Sequence, residues 1–405
     1  MNAPRTRKVL VTVAGHDTPG ITAKLTGILE ESDARLEDIE QVVVHGHLTL
    51  CFVVSVVGAR HQGDAVLKDL LFAAKDMGLD LDFKILADES SSTTSASERA
   101  RYAVTAIGDA IDARAVHAIS TVLAHHDANI DKIRRLSEGV FNSFEIVLSL
   151  PTGEDRALAL RKDLIAAGQA ANIDVALQEE TLTRRTKRLI VMDMDSTLIR
   201  IECIDELARM HGVVDQVSDI TRRAMQGELD FEQSLRARVA LLAGMPWQQV
   251  QSLADDLPIT EGAERLIAVL KGLGMKTAVI SGGFTFAADT LKKRLGLDFA
   301  YANTLEVKDG VLTGRVKDPI VTAQRKADLT EGIALQEGIA LEQVVAVGDG
   351  ANDAAMIEKA GLGIAFHAKP KLKERADTSL SAGGLDRILY LLGLHARDID
   401  RFLMG

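Results

Sequence analysis

The chain is poor in cysteine, in positive charge and in long apolar runs. Only two of its 405 residues are cysteines, Cys51 and Cys203, far apart in sequence. That excludes a disulfide framework and a zinc ribbon, and it points to a reducing compartment. Lysines and arginines number 47 against 58 acidic residues, a formal charge of -11. A field of that sign does not draw a protein to nucleic acid or to an anionic membrane face. No segment approaches about 18 consecutive apolar residues, so no membrane span is expected. The first residues, MNAPRTRKVLVTVAG, hold no apolar run followed by a small-residue cleavage site, so no secretory leader is expected. Together these absences describe a soluble cytoplasmic protein.

What is present is globular. Hydrophobic residues make up 47% and charged residues 26%, which excludes disorder of the whole chain. At about 150 residues per domain, the length suggests two to three domains. Two polar segments divide it. Residues 87–100 are serine-rich and read as a flexible linker. Gln178 to Arg188 is charged and reads as a solvated connector, not as a nucleic-acid patch.

The two pieces before that connector repeat each other. Strand patterns at Lys8 to Val13 and Tyr102 to Ile107 end at Gly15 and Gly108, a shift of 93 positions. Helical patterns follow at Ile21 to Ser32 and Ala113 to His126, then Asp33-Ala and Asp127-Ala, a shift of 94. Strands at Leu48 to Val56 and Ser143 to Leu150 come next. Second helices, near Gly63 to Gly78 and Glu154 to Gly168, and closing strands at Asp80 to Leu86 and Asp174 to Leu177 complete each unit. Each reads βαββαβ, a ferredoxin-like plait. The domains expected are 1–86, 101–180 and 181–405.

The third piece alternates apolar strands with helices, the pattern of a doubly wound α/β core. Its strands are Arg188 to Met194, Thr277 to Ser281 and Val344 to Gly348. Residues 202–256, largely helical, are too long for a crossover and read as an inserted cap. Lys308-Asp-Gly-Val-Leu312 predicts a β-hairpin, and Leu385 to Met404 an amphipathic helix packed on the core.

Polar clusters sit where the apolar strands end. Asp193-Met-Asp-Ser-Thr places two carboxylates beyond a strand, in the usual ligand crevice. Gly348-Asp-Gly-Ala-Asn-Asp353 supplies hard oxygen ligands in Asp349, Asn352 and Asp353, which suit Mg²⁺. Ser281-Gly282-Gly283 offers a hydroxyl and backbone N–H groups for phosphate oxygens. A cation to offset phosphate charge lies in Ala323-Gln-Arg-Lys-Ala-Asp328, and spacing does not choose between Arg325 and Lys326.

These motifs, in this order, resemble the haloacid dehalogenase superfamily of phosphatases. Glu202, Met225, Phe231-Glu-Gln-Ser-Leu-Arg-Ala-Arg238, Ser281-Gly-Gly-Phe284 and Asn303 extend the resemblance to its phosphoserine phosphatases, across Arg188 to Asp386. The resemblance implies that Asp193 is the nucleophile and Asp195 the general acid and base. It implies Mg²⁺ on the Asp193 carboxylate, the Asp195 backbone carbonyl and Asp349, with Asn352 and Asp353 ordering that shell, or Asp353 holding Lys326. Ser281, Gly282 and Lys326 would bind the phosphoryl group, with Asn352 beside it. Glu202 would meet the substrate ammonium and Arg238 its carboxylate.

The plaits resemble ACT domains, which implies amino-acid binding and a homodimer. Asp17-Thr-Pro-Gly20 carries the motif, with Gly20 allowing close approach to a ligand. Gly108-Asp-Ala-Ile-Asp112 lacks the Pro-Gly pair, a departure that weakens the same role for Gly108. L-Serine is the expected effector. Cys51 reads as core and Cys203 as an inert thiol beside Glu202. His16, His45 and His47 lack metal-site spacing, and Trp247 starts a cap helix. Three functions compete: hydrolysis of O-phospho-L-serine, dephosphorylation of protein phosphoserine or another phosphometabolite, and amino-acid sensing without catalysis.

Overall fold

The computed structural model describes residues 6–32, 34–57, 60–86, 99–137, 141–153 and 155–404. It divides into two compact units, Met1–Ala96 and Ser97–Gly405.

The first unit is one plait. Its strands are β1 (Thr6–His16), β2 (Arg35–Val44), β3 (His47–Val57) and β4 (Asp80–Ile85), and its helices α1 (Ile21–Glu31) and α2 (Arg60–Asp76). The sheet order is β2-β3-β1-β4, antiparallel throughout. Alternation explains the packing. Val9, Val11 and Val13 of β1 are buried with Leu25 and Leu29 of α1, while β2 is exposed along its whole length.

The second unit opens with the duplicate plait: β5 (Arg99–Gly108), α3 (Ala113–His125), β6 (Asn129–Arg135), β7 (Asn142–Pro151), α4 (Arg156–Ala170) and β8 (Asp174–Glu179). Its order, β6-β7-β5-β8, repeats the first. Residues 87–98 of the expected linker lie outside the described residues, as do Asp33 and Glu154. Arg99 and Ala100, assigned to that linker, already belong to β5.

The rest is the α/β core with its cap. After β9 (Leu189–Met192) the chain leaves the sheet for α5 (Cys203–His211), α6 (Val214–Met225), α7 (Phe231–Ala240) and α8 (Trp247–Asp255). Trp247 begins α8 and meets the Phe286 ring edge-on. Two crossing segments pin the base of the cap, where Arg200 N–H donates to Pro258 O and Thr260 N–H to Leu198 O, each at 3.0 Å. The core resumes with α9 (Ala263–Gly272), β10 (Lys276–Phe284), α10 (Thr285–Leu295), β11 (Phe299–Lys308) and β12 (Val311–Lys317). The hairpin falls where expected, with Asp309 and Gly310 at φ 53° and 79°, the twist a two-residue turn needs. Then come α11 (Ala323–Gln336), β13 (Val344–Gly348), α12 (Ala354–Lys359), β14 (Leu362–Phe366), α13 (Pro370–Lys373) and β15 (Thr378–Leu380). The sheet order is β12-β11-β10-β9-β13-β14-β15, parallel except for β11–β12. The central strands β9, β10 and β13 carry the three polar clusters at their carboxyl ends.

Two expectations need correction. The tail is not one helix. A 3₁₀ turn at Leu385–Arg387 leads to α14 (Ile388–Leu391) and then to α15 (Ala396–Met404), broken at Gly393, φ 78°. The tail also packs on the second plait. Gln178 Nε2 donates to Leu391 O at 3.0 Å, Ala396 N–H to Leu136 O at 2.8 Å, and Phe141 meets Tyr390 edge-on.

Nor is the connector solvated throughout: Glu179, Thr181, Leu182, Arg185, Thr186 and Arg188 are exposed, but Gln178 and Arg184 are buried. Arg184 is 3% exposed, and its guanidinium donates to Glu145 Oε2 at 2.6 Å and to Glu180. Glu145, 0% exposed on β7, also takes Arg134 and Arg185. Burial raises the Glu145 carboxyl, but Arg184 and Arg134 together hold it below the usual range. Lys187 donates to Glu342 O at 2.6 Å, and burial pulls its ammonium down to about 8. Part of its charge therefore answers buried charge, while the rest faces water.

Candidate active site

The loop after β9 is tied to the neighbouring strand, where Asp193 N–H donates to Val347 O at 2.9 Å. The Asp193 carboxylate is thereby brought beside Lys326. That lysine is 1% exposed, and its Nζ donates to Asp193 Oδ1 and Asp353 Oδ1, each at 2.6 Å. Helix α11 explains the choice between Arg325 and Lys326. Lys326, Thr330 and Ile333 form its buried face, and Arg325, one position round, is exposed. Burial lowers the Lys326 ammonium pKa, but the flanking carboxylates of Asp193 and Asp353 outweigh it and hold the charge. Burial and the neighbouring Asp353 push Asp193 well above the usual carboxylate range, with Lys326 opposing.

Asp195 lies on the other side of the loop. Its Oδ1 accepts the Cys203 N–H, the first of cap helix α5, at 3.3 Å. A Cβ on Gly283 would stand 2.4 Å from its Oδ2, so only glycine fits there. Burial and the charge of Glu202 push this carboxyl up to about 7, and the Cys203 hydrogen bonds only partly oppose them. The Cys203 thiol is pushed well up by burial and by Asp195, which disfavours its thiolate.

Oxygens of Asp193, Asp349 and Asp353 lie within 4.8 Å of one another. This all-carboxylate donor set fits a hard divalent cation. Asp353 is engaged by Lys326 and, at 3.0 Å, by Gly350 N–H, and Asp193 shares the same Lys326 ammonium through its Oδ1. The Asp195 carboxylate is not part of this group. Burial, with Asp353 and Glu202 nearby, raises Asp349 to about 6.

A cavity of about 630 Å³ opens between this cluster and the cap. The cap side is built by α7, whose start is fixed by a reciprocal pair. Gln233 N–H donates to Asp230 Oδ1 at 2.8 Å, and Asp230 N–H to Gln233 Oε1 at 3.1 Å. Phe231, Leu235 and Arg238 then share one helix face toward the cavity. Arg238 gives its Nε to Ser234 O at 3.3 Å, and among the described residues its terminal nitrogens make no hydrogen bond. Burial lowers the Arg238 pKa, and the charges of Asp205 and Glu202 hold it up. Glu202 Oε1 accepts from Ser196 Oγ at 2.8 Å. Ser281, Gly282, Asn352 and Met225 also line the cavity. Ser281 Oγ accepts Gly283 N–H at 2.8 Å, and Asn303 Nδ2 donates to Gly282 O at 2.8 Å, fixing the Ser281–Gly283 segment.

A haloacid dehalogenase-like hydrolase model matches residues 187–361, and ACT domain models match 7–84 and 100–178. Phosphoserine phosphatase SerB2 of Mycobacterium tuberculosis is 41% identical over 397 residues, 98% of this chain and 96% of that one. A phosphoserine phosphatase of Streptomyces coelicolor is 41% identical over 403 residues, 99% of this chain and 96% of the other. The chain belongs to the phosphoserine phosphatases of the haloacid dehalogenase class. Among solved structures, a probable phosphoserine phosphatase from Vibrio cholerae aligns at TM-score 0.58 and 37% identity, covering 74% of this chain and 88% of that one.

Within that family the sequence did not single out two charged residues of the cavity, Asp205 and Lys369. Lys369 follows β14 as Asp193 follows β9, so the strand-end rule that found one could have found the other. His16, His45 and His47 join no metal-holding group among the described residues. Among those residues no helix is long and apolar enough to cross a membrane.

The plait residues divide. Asp17 N–H donates to Gly46 O at 2.9 Å, and Gly20 stands before α1 at φ 98° with no side-chain cap on the helix. A Cβ on Gly20 would meet nothing within 4 Å, so its dihedral, not crowding, demands glycine. In the second plait Asp112 caps α3 itself, accepting Arg114 and Ala115 N–H groups at 3.0 Å. Gly108 is explained by packing, since a Cβ there would stand 2.7 Å from Ile173 Cγ2. Asp109 is paired with Arg387 at 2.7 Å.

Proposed function

We propose that the chain hydrolyses O-phospho-L-serine to L-serine and phosphate, the last step of L-serine formation, through an aspartyl phosphate on Asp193. The observation that carries this is the cap pair. Glu202 and Arg238 line the same cavity as Asp193, one anion and one cation, matching the ammonium and carboxylate of a free amino acid.

Asp193 attacks phosphorus, and the bond from phosphorus to the serine oxygen breaks. Asp195 gives its proton to that oxygen, and L-serine forms. A carboxyl held near pH 7 retains enough proton for this role. Asp195, now ionised, takes a proton from water as the water oxygen attacks phosphorus. The bond between Asp193 and phosphorus breaks, phosphate forms and Asp195 is protonated again. Lys326 first orients Asp193 and then faces the phosphoryl oxygens with Ser281 Oγ and the Gly282 N–H. Asp193, Asp349 and the Asp195 carbonyl would hold Mg²⁺, which when bound would neutralise charge on the phosphoryl oxygens.

Phosphate release from O-phospho-L-serine should far exceed that from a phosphoserine peptide, and chelation should abolish it until Mg²⁺ is restored. Comparable rates on the peptide would favour the protein-phosphatase reading, because a peptide bond leaves Glu202 and Arg238 unmatched. Arg238→Lys should lower kcat/KM about 10- to 100-fold by losing the paired hydrogen bonds.

Regulation belongs to the first plait, with L-serine at the uncapped start of α1. Wild-type enzyme should then show a non-competitive component of serine inhibition, which Gly20→Val removes because φ 98° excludes a β-branched residue. Purely competitive inhibition in wild type would end this assignment. A homodimer forms along the exposed edge strand β2, where Ile39, Val42 and Val43 face solvent. Two free thiols suit the cytoplasm.

A further inference from the structure

The cavity is strongly acidic for one that takes a phosphate ester. Five carboxylates line it, those of Asp193, Asp195, Glu202, Asp205 and Asp349, against two cations, Arg238 and Lys369. Lys326 sits behind them, shared between Asp193 and Asp353. Arg238 is deep in the cap, facing the place of the substrate carboxylate. The neighbouring cap cations are engaged: Arg222 with Asp219 and Gln226, Arg223 with Glu228, Arg236 with Glu232 and Asp318.

Lys369 is different. It is exposed at the rim, and its ammonium makes no hydrogen bond or ion pair among the described residues. Its backbone is fixed, because its N–H donates to Asp349 O at 3.2 Å and Pro370 follows as the first residue of α13.

We propose that Lys369 draws the phosphate dianion to the cavity and lets it pass inward to Lys326. It acts on arrival, not on the chemical step. A chain of net charge -11 repels a dianion at long range, and one unpaired cation at the rim reverses the field where it matters. This rests on the phosphatase reading of the cavity but not on the identity of the alcohol that leaves.

The test is steady-state kinetics of the full chain with Mg²⁺ on two substrates, O-phospho-L-serine and p-nitrophenyl phosphate, across ionic strength. Lys369→Gln should lower kcat/KM about tenfold at about 0.01 M salt, with kcat within about twofold. The gap should close near about 0.5 M salt, where charges are screened beyond a few ångströms. Lys369→Arg should restore the wild-type salt slope. Both substrates should respond alike, since they share only the phosphate. An unchanged salt slope in Lys369→Gln would overturn the proposal, as would a loss of kcat at every ionic strength that Arg does not rescue. Response on p-nitrophenyl phosphate without turnover of O-phospho-L-serine would remove the substrate assignment and leave the role of Lys369 standing.

Discussion

Asp193→Asn should reduce turnover of O-phospho-L-serine by about 10⁴-fold or more, at every substrate concentration. An amide is a poor nucleophile, and without the covalent step water must attack an unactivated ester directly. The side chain keeps its size, and the Asn oxygen can still accept from Lys326, so the fold should survive. Substrate binding should survive too, because Glu202, Arg238 and Ser281 are untouched. Calorimetry with O-phospho-L-serine should therefore detect binding by the inactive variant, and trapping of radiolabelled phosphate on protein should succeed only with wild type. Activity near the wild-type level would show that another group attacks phosphorus.

Glu145→Gln should cost about 3 kcal/mol of stability while leaving kcat unchanged at 25 °C. Three guanidiniums, of Arg134, Arg184 and Arg185, converge on this one carboxylate. Arg134 and Arg185 can swing into water, being 31% and 45% exposed, but Arg184 cannot. It would keep only Glu180 as counter-ion. The melting temperature should fall by about 6–12 °C. The double variant Glu145→Leu with Arg184→Met should recover much of that loss, since removing both buried charges also removes their desolvation cost. A double variant no more stable than Glu145→Gln would show that the pair itself, not the stranded charge, holds the junction.

How far the sequence could be read follows from how far each feature depends on distant residues. Strand β13 was legible to the residue, because an apolar β-branched run ending at Gly348 is a local signal. So was the hairpin at Asp309-Gly310, whose turn chemistry is complete in two residues. The catalytic cluster was legible because Asp193, Ser281 and Asp349 each follow such a run. The choice of Lys326 over Arg325 was not legible in spacing and came from the resemblance alone, since it depends on which face of α11 meets the sheet. The burial of Arg184 was invisible for the same reason. Its partner Glu145 lies 39 positions away on another strand, and a charged connector looks alike whether it faces water or a buried acid. The break at Gly393 was hidden by an apolar periodicity that runs on through it.

The second plait is joined to the catalytic core by pairs contributed from both sides. Arg161 meets Asp377 at 2.8 Å, Arg387 meets Asp109, and Asp174 accepts Ser381 N–H at 2.8 Å. Asp377 turns its other oxygen to Gly363 N–H of β14, so the junction reaches the strand beside β13. Such residues are not free to drift one at a time, because each change strands its partner. The second plait is therefore bound to change in step with the core against which it packs.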